Sequence, residues 1–180
     1  LLADVGSIGP DYQPGHAHAD TFTFELYVNG KPIVVDTGTS TYIPGKRRKW
    51  ERGTAAHNTV SVNGDDSAEL WRSHRVARRP KVFFVEDNDK NLQAFHNGYR
   101  KYNLHHRRSF NIQNFREFQI IDSIEAIKSV EDFPFSELNI NTRFHFHPDV
   151  EVELDGMNLS INGNIKISFT GSKDVSMHDY

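Results

Sequence analysis

The residues with the most chemical potential fall in the first third of the chain. Gly15-His16-Ala17-His18-Ala19-Asp20 sets two imidazoles and a carboxylate at a spacing of two. In extended backbone all three side chains would point the same way. Asp36 closes an apolar segment and runs into Thr37-Gly38-Thr39. His57 sits in Thr54-Ala55-Ala56-His57-Asn58-Thr59, among small residues that leave room around a ring. Imidazole and carboxylate together suit Zn²⁺, so a His/Asp metal site is one reading. Each residue also has a simpler one: a strand-end Asp that caps a turn, or a His bonded to backbone. With no cysteine in the sequence, thiolate ligands and disulfides are excluded.

Positioning these groups falls to strands. Helical periodicity is nearly absent from the 180 residues. Thr21 to Val28 alternates, with Phe22, Phe24, Leu26 and Val28 on one face, and Asn29-Gly30 turns it back into residues 32–36. Residues 58–62 form a strand ending at Asn63-Gly64, and segments near 81–86, 92–96, 106–112 and 115–122 have strand composition. The tail forms a meander over 150–154, 159–161 and 165–169, turning at Asp155-Gly156 and Asn162-Gly163. Many short strands between turn signals predict an all-β domain: a two-sheet antiparallel β-sandwich with little helix. Residues 43–56 are the longest stretch without periodicity and are expected to form a functional loop.

Length predicts one domain across residues 1–180, and no apolar run reaches the length of a membrane span. The formal net charge of −3 is uneven. Residues 46–108 hold 15 Lys and Arg against 7 Asp and Glu, while residues 111–180 hold 5 against 12. A nucleic-acid binder would carry basic excess over the whole domain, so nucleic acid is not an expected partner. A local basic stretch suits either attraction of a polyanion or an ordinary solvated face.

Several motifs recur in order: Pro14-Gly15-His16-Ala17-His18-Ala19-Asp20, Phe24-Glu25-Leu26, Val35-Asp36-Thr37-Gly38-Thr39, Thr41-Tyr42, and Arg52 with Thr54-Ala55-Ala56-His57-Asn58-Thr59-Val60. In these the chain resembles the heparinase II/III-like polysaccharide lyases. The resemblance is dense over residues 9–75 and diffuse afterwards, carried by Val62-Asn63-Gly64, Ser67-Ala68-Glu69, His106-Arg107-Arg108 and Phe144-His145-Phe146-His147-Pro148. It implies the C-terminal supersandwich-like domain of such a lyase, with an N-terminal α/α toroid absent from this chain. The implied function is β-elimination of uronic-acid-containing acidic polysaccharide, in the bacterial periplasm or outside the cell. His16 is implied as the catalytic histidine, and His18, Asp36 and His57 as ligands of a structural Zn²⁺. The tyrosine and the Asn or His that complete the chemistry belong to the toroid, so the isolated chain is expected to be inactive. Ser40 stands where many relatives carry an aromatic, and Gly53 where many carry Ser.

Such chemistry needs the uronate carboxylate neutralised and a base within reach of the C5 proton. Arg52, Arg75, Arg72 and the 46–49 cluster are candidates for holding the polyanion, and Tyr42 either lines the cleft or packs. A non-catalytic carbohydrate-binding or scaffolding sandwich with a structural zinc clip is the alternative from another class. Geometry adds a condition. A plain two-residue turn at Asn29-Gly30 sets Asp36 opposite Thr23, ~16 Å of straight strand from His18. A one-residue shift sets it opposite Phe24 instead. The spacing therefore predicts a bulge near residues 30–32 and non-strand backbone over residues 16–20. His145 and His147 are read as a surface pair or a second site, His105 and His106 as cleft edge or strand edge, and Glu69 and Arg75 as bonded to each other or to backbone.

Overall fold

The computed structural model describes residues 1–128 and 133–178. Among the described residues, strand-forming composition and turn signals produce 14 strands, all paired antiparallel. The chain divides into two compact units, Leu1–His145 and Phe146–Tyr180.

In the first unit, β1 (Leu2–Ala3), β2 (Phe24–Val28) and β3 (Lys31–Val34) form a three-stranded sheet. Asn29 and Gly30 both take positive φ, as a tight two-residue hairpin turn demands. Val28 pairs with Lys31 and Tyr27 with Pro32, but Leu26 pairs with Val34. The expected one-residue shift is therefore present, and it falls at Ile33, one residue beyond the predicted stretch. The strand expected from Thr21 starts three residues later. Thr23 N–H closes a turn onto the Asp20 carbonyl, and Phe22 takes φ 71°. That conformation is costly for a bulky residue. It is held by the burial of the Phe22 ring against His96 and His106 and by Arg108 donating to its carbonyl.

A short helix, α1 (Lys46–Arg52), replaces the loop expected over residues 43–56. Good helix formers fill it between Gly45 and Gly53. Its buried face is Arg48, Glu51 and Arg52, at helical spacing but charged, so no apolar stripe announces it. Next come β4 (Val60–Val62), β5 (Leu70–Trp71), β6 (Arg75–Val76), β7 (Val82–Asp87), β8 (Asn91–His96), β9 (Leu104–Asn114), β10 (Glu117–Ala126) and β11 (Ile140–Thr142). β7 to β10 make a four-stranded meander, β4 pairs with β11, and β5 with β6. β9 is interior to its sheet, so His105 and His106 do not lie on a strand edge. The core includes Phe22, Phe24, Ile33, Val34, Val60, Val62, Tyr99, Leu104 and Phe110. His145 belongs to this unit and is buried rather than a surface residue.

The second unit is the predicted meander: β12 (Val152–Asp155), β13 (Asn158–Ile161) and β14 (Ile165–Ser168), with Leu159 and Ile161 buried. Among the described residues no helix is long and apolar enough to cross a membrane.

Candidate functional site

The segment 16–20 is not a strand: a single 3-10 turn, Pro14–His16, leads into irregular backbone. Backbone without a ladder needs other partners, and the Arg52–Thr54 stretch supplies them. Arg52 Nε donates to the Ala17 carbonyl at 3.1 Å, and Ala19 N–H donates to the Arg52 carbonyl at 2.8 Å. Thr54 Oγ1 donates to the Ala19 carbonyl at 2.8 Å. Arg52 is fully buried, and its other nitrogens donate to the carbonyls of Arg72 and Arg75. Its donors are thus turned onto backbone, which gives it a positioning role in the loop that bears the histidines.

His18 and His57 meet beneath this loop, with ring centroids 5.2 Å apart. Donor atoms of His18, Asp20 and His57 all lie within 4.8 Å of one another. Asp36 is placed differently. Its Oδ2 accepts from His57 Nδ1 at 2.8 Å and from Thr23 Oγ1 at 2.9 Å, and Oδ1 accepts from Gly38 N–H at 2.9 Å. A His with Nδ1–H held by a carboxylate presents the lone pair of Nε2. That Nε2 is buried and has no hydrogen-bond partner. Asp36 therefore orients the ring, and the third ligand-type group close to both imidazoles is Asp20, where the resemblance implies Asp36. Burial pushes the Asp20 carboxyl up to about 6. Burial acts the same way on Asp36, but the His57, Gly38 and Thr23 donors hold it down to about 2. Burial, together with the neighbouring His57 and Arg48, lowers His18 to about 4 and keeps it neutral. An orphaned imidazole nitrogen on His57, a second imidazole and a buried carboxylate are the ligand types that Zn²⁺ takes, and His18 would have to release the Arg48 contact at Nε2 or lose its Nδ1 proton to join them.

His16 differs from the ligand-type residues: it is exposed and its ring has aromatic neighbours. Tyr42 stands edge-on at 5.0 Å and His74 at 6.1 Å, and Tyr42 and His74 stack on each other at 6.2 Å. The Arg48 guanidinium lies over the Tyr42 ring at 5.0 Å while Nη1 donates to His18 Nε2 at 3.0 Å. One buried arginine thus connects the exposed group to the buried one. Ser40 hydrogen-bonds through Oγ to the buried Glu51 carboxylate, tying the 37–43 segment to α1. At Gly53 a Cβ would come 3.0 Å from Asp66 Oδ1, the oxygen that accepts from Thr54 N–H.

These motifs and this fold have known counterparts. The family model described as "Heparinase II/III-like, C-terminal" matches residues 1–177. The chain belongs to the heparinase II/III-like family. A heparin-sulfate lyase of Bacteroides stercoris is 33% identical over 113 residues, 61% of this chain and 16% of that protein. An alginate lyase of Stenotrophomonas maltophilia is 31% identical over 91 residues, 44% of this chain and 12% of that protein. Among solved structures, a heparan sulfate lyase HepC mutant from Pedobacter heparinus aligns with TM-score 0.63 and 21% identity, covering 87% of this chain and 22% of that one. A heparinase III structure aligns with TM-score 0.61 and 23% identity, covering 84% and 22%. These structural likenesses show the fold, a heparinase C-terminal β-sandwich. The chain spans about 16% of the length of the curated heparin-sulfate lyases it matches.

Two features of this heparinase-like domain escaped the sequence. His74, in the turn between β5 and β6, stands beside His16, though nothing in its local sequence marks it. The second is a buried polar chain on the β8–β10 face. Gly98 N–H donates to His96 Nδ1 at 3.1 Å, and the contacts His96 Nε2 to His106 Nδ1 (3.0 Å) and His106 Nε2 to Asp122 (2.7 Å) follow. Arg108 pairs with Asp122 at 2.7 Å and donates to the carbonyls of Phe22 and Asn58. It thereby braces the backbone next to both Asp20 and His57. The register explains the grouping, since His96 is opposite His106 and Arg108 opposite Asp122. Glu69 approaches Arg78 at 4.0 Å, and Arg75 lies over the Trp71 ring.

Proposed function

We propose that the full-length protein carrying this domain cleaves uronic-acid-containing acidic polysaccharide by β-elimination, with His16 acting on the substrate. The observation that carries this reading is the exposed His16 ring, flanked by Tyr42 and His74, on a loop whose backbone is fixed by Arg52 and Thr54. In such a reaction the C5 proton leaves to a base, its electron pair forms the C4–C5 double bond, and the 4-O-linked sugar departs with a proton. An imidazole at the reacting ring serves proton transfer, and cationic side chains neutralise the carboxylate that makes the proton acidic. Tyr42 and Arg75 are proposed to contact substrate. Arg52 contributes by holding Ala17 and the 72–75 turn.

A Zn²⁺ held by His18, Asp20 and His57, with Asp36 orienting His57, would supply a structural cross-link between the His16 loop and the His57 segment. Elimination needs no metal hydroxide, which supports the structural role. The remaining proton-transfer tyrosine and the Asn or His that faces the uronate are proposed to come from an N-terminal α/α toroid, so residues 1–180 alone are expected to be inactive. Polymeric substrate implies action in the periplasm or outside the cell. A non-catalytic sugar-binding sandwich with a zinc clip would leave the exposed His16 group without a task. Release of unsaturated uronate from heparan sulfate or alginate by the full-length protein, read by ultraviolet absorbance, supports the lyase reading; binding without product supports the rival.

A further inference from the structure

Arg48 and Arg52 do more than order the His16 loop. Arg48 Nε donates to the Ser73 carbonyl at 3.3 Å, and Arg52 donates to the carbonyls of Arg72 at 3.0 Å and Arg75 at 3.4 Å. At their other contacts the same two guanidiniums reach His18 and Ala17. A two-stranded hairpin as short as β5–β6 is marginal by itself. Here two fully buried arginines clamp its tip onto the His16 loop through the carbonyls of Arg72, Ser73 and Arg75. Gly15 tightens the fit, because a Cβ there would come 3.3 Å from the His74 carbonyl.

The clamp acts through backbone, so the side chains of the tip stay available. Trp71 is 49% exposed, and Arg72, His74 and Arg75 are exposed. Among the described residues, none of Arg72, His74 and Arg75 pairs with a carboxylate through its side chain. Arg75 sits over the Trp71 ring at 5.8 Å. Together with Lys49 these residues line an open cleft of about 690 Å³. The one carboxylate in its wall, Asp66, already accepts from Thr54 N–H at 2.8 Å. His74 brings this cleft to within 6.1 Å of the His16 ring.

A half-exposed indole that carries a guanidinium over its ring, with no carboxylate partner on that guanidinium, matches a sugar ring that bears an anion: C–H groups stack on the exposed part of the indole and the anion takes the cation. We propose that the β5–β6 tip is a binding subsite for an anionic pyranose adjacent to the ring handled at His16. Trp71 is its platform and Arg72, Arg75 and Lys49 are its anion contacts. This subsite rests on the assignment of His16 to the reacting ring. A uronate carboxylate and a sulfate ester share the chemistry.

The test is calorimetric titration of the full-length protein with an alginate hexasaccharide, a heparan sulfate hexasaccharide and neutral maltohexaose. The expected result is binding of at least one anionic probe and none of the neutral one, with Trp71→Ala and Arg75→Ala each weakening Kd by ~10-fold or more. Both variants should melt with the parent protein, since both side chains are exposed; Arg72→Ala provides a substitution outside the Arg75–Trp71 ring contact. Alginate binding assigns the contact to carboxylate, and heparan sulfate binding alone assigns it to sulfate. Neutral sugar bound as well as the anionic probes, no binding of either anionic probe, or variants that bind like the parent would overturn the subsite. Protein that binds as expected but yields no unsaturated product overturns the lyase reading and leaves the subsite standing. Product formation with unchanged Kd in the variants overturns the subsite alone.

Discussion

His57 donates its Nδ1–H to Asp36 at 2.8 Å and keeps Nε2 buried without a partner. A buried polar atom left alone costs free energy, and native proteins rarely carry one without a reason. The neighbouring His18 and Asp20 make a metal cation the fitting partner. The first prediction follows. The full-length protein should bind Zn²⁺ stoichiometrically, and His57→Ala should abolish binding. Asp36→Asn should weaken it by roughly 10–100-fold, the usual effect of removing the group that orients a ligand histidine. Competition with a chromogenic chelator reads all three. Zinc affinity unchanged in Asp36→Asn would remove the orienting role.

Arg52 gives a second prediction, because its geometry separates holding from binding. Its donors reach three backbone carbonyls from a fully buried position. Arg52→Ala should destabilise the fold by on the order of 3 kcal/mol, through loss of a buried side chain and of the donors to three part-buried carbonyls. The shift in urea midpoint measures it. An Arg52→Ala protein with parental stability and only a raised KM would make Arg52 a substrate contact instead.

The buried chain on β8–β10 sets a pH dependence. Burial, and then the neighbouring His106, push His96 well below the ordinary imidazole range. Burial lowers His106 too, although Asp122 opposes it. Burial alone would raise the Asp122 carboxyl, but Arg108 and His106 hold it far below the carboxylate range. In all three cases the unfolded chain binds protons more readily, so stability rises with pH. The histidine contribution is complete above the unfolded value near ~6.5 and is lost as pH falls below it; Asp122 adds a further loss below about 4. Urea midpoints measured from about pH 8 down to about pH 5 should fall, and His106→Gln should flatten that slope while lowering stability throughout. A slope that His106→Gln leaves unchanged would place the titration elsewhere.

Gly98 tests the same chain sterically. A Cβ there would lie 2.5 Å from the Ser67 carbonyl and 2.9 Å from His96 Nδ1. Gly98→Ala should cost about 1–3 kcal/mol, as overpacking against backbone does. A thermal melt within a degree or two of the parent would show that the Ser67 turn can yield.

Much of this was legible from residue order. Alternation and Asn-Gly turns located most strands, and the register shift expected near residues 30–32 falls at Ile33. Other features were hidden for identifiable reasons. α1 buries Arg48, Glu51 and Arg52, so its inner face carries charge where sequence patterns look for apolar residues. Part of the basic stretch over 46–108 is likewise interior, since Arg48, Arg52 and Arg108 are fully buried. Asp20 and Asp36 are both acidic and both near His57, and only the hydrogen bond to Nδ1 singles out Asp36 as the ring's holder. His74 reaches His16 only because two arginines fold the hairpin tip back onto the loop.

The central claim is that His16 works on the sugar while His18 and His57 hold the loop. Its most direct test compares the full-length protein with its His16→Ala variant on heparan sulfate and alginate, following unsaturated uronate by absorbance and zinc content in the same samples. The expected result is that His16→Ala lowers kcat by about 10²–10⁴-fold, as loss of a proton-transfer group does, with zinc and melting temperature unchanged. A His16→Ala protein that eliminates at the parental rate would contradict it.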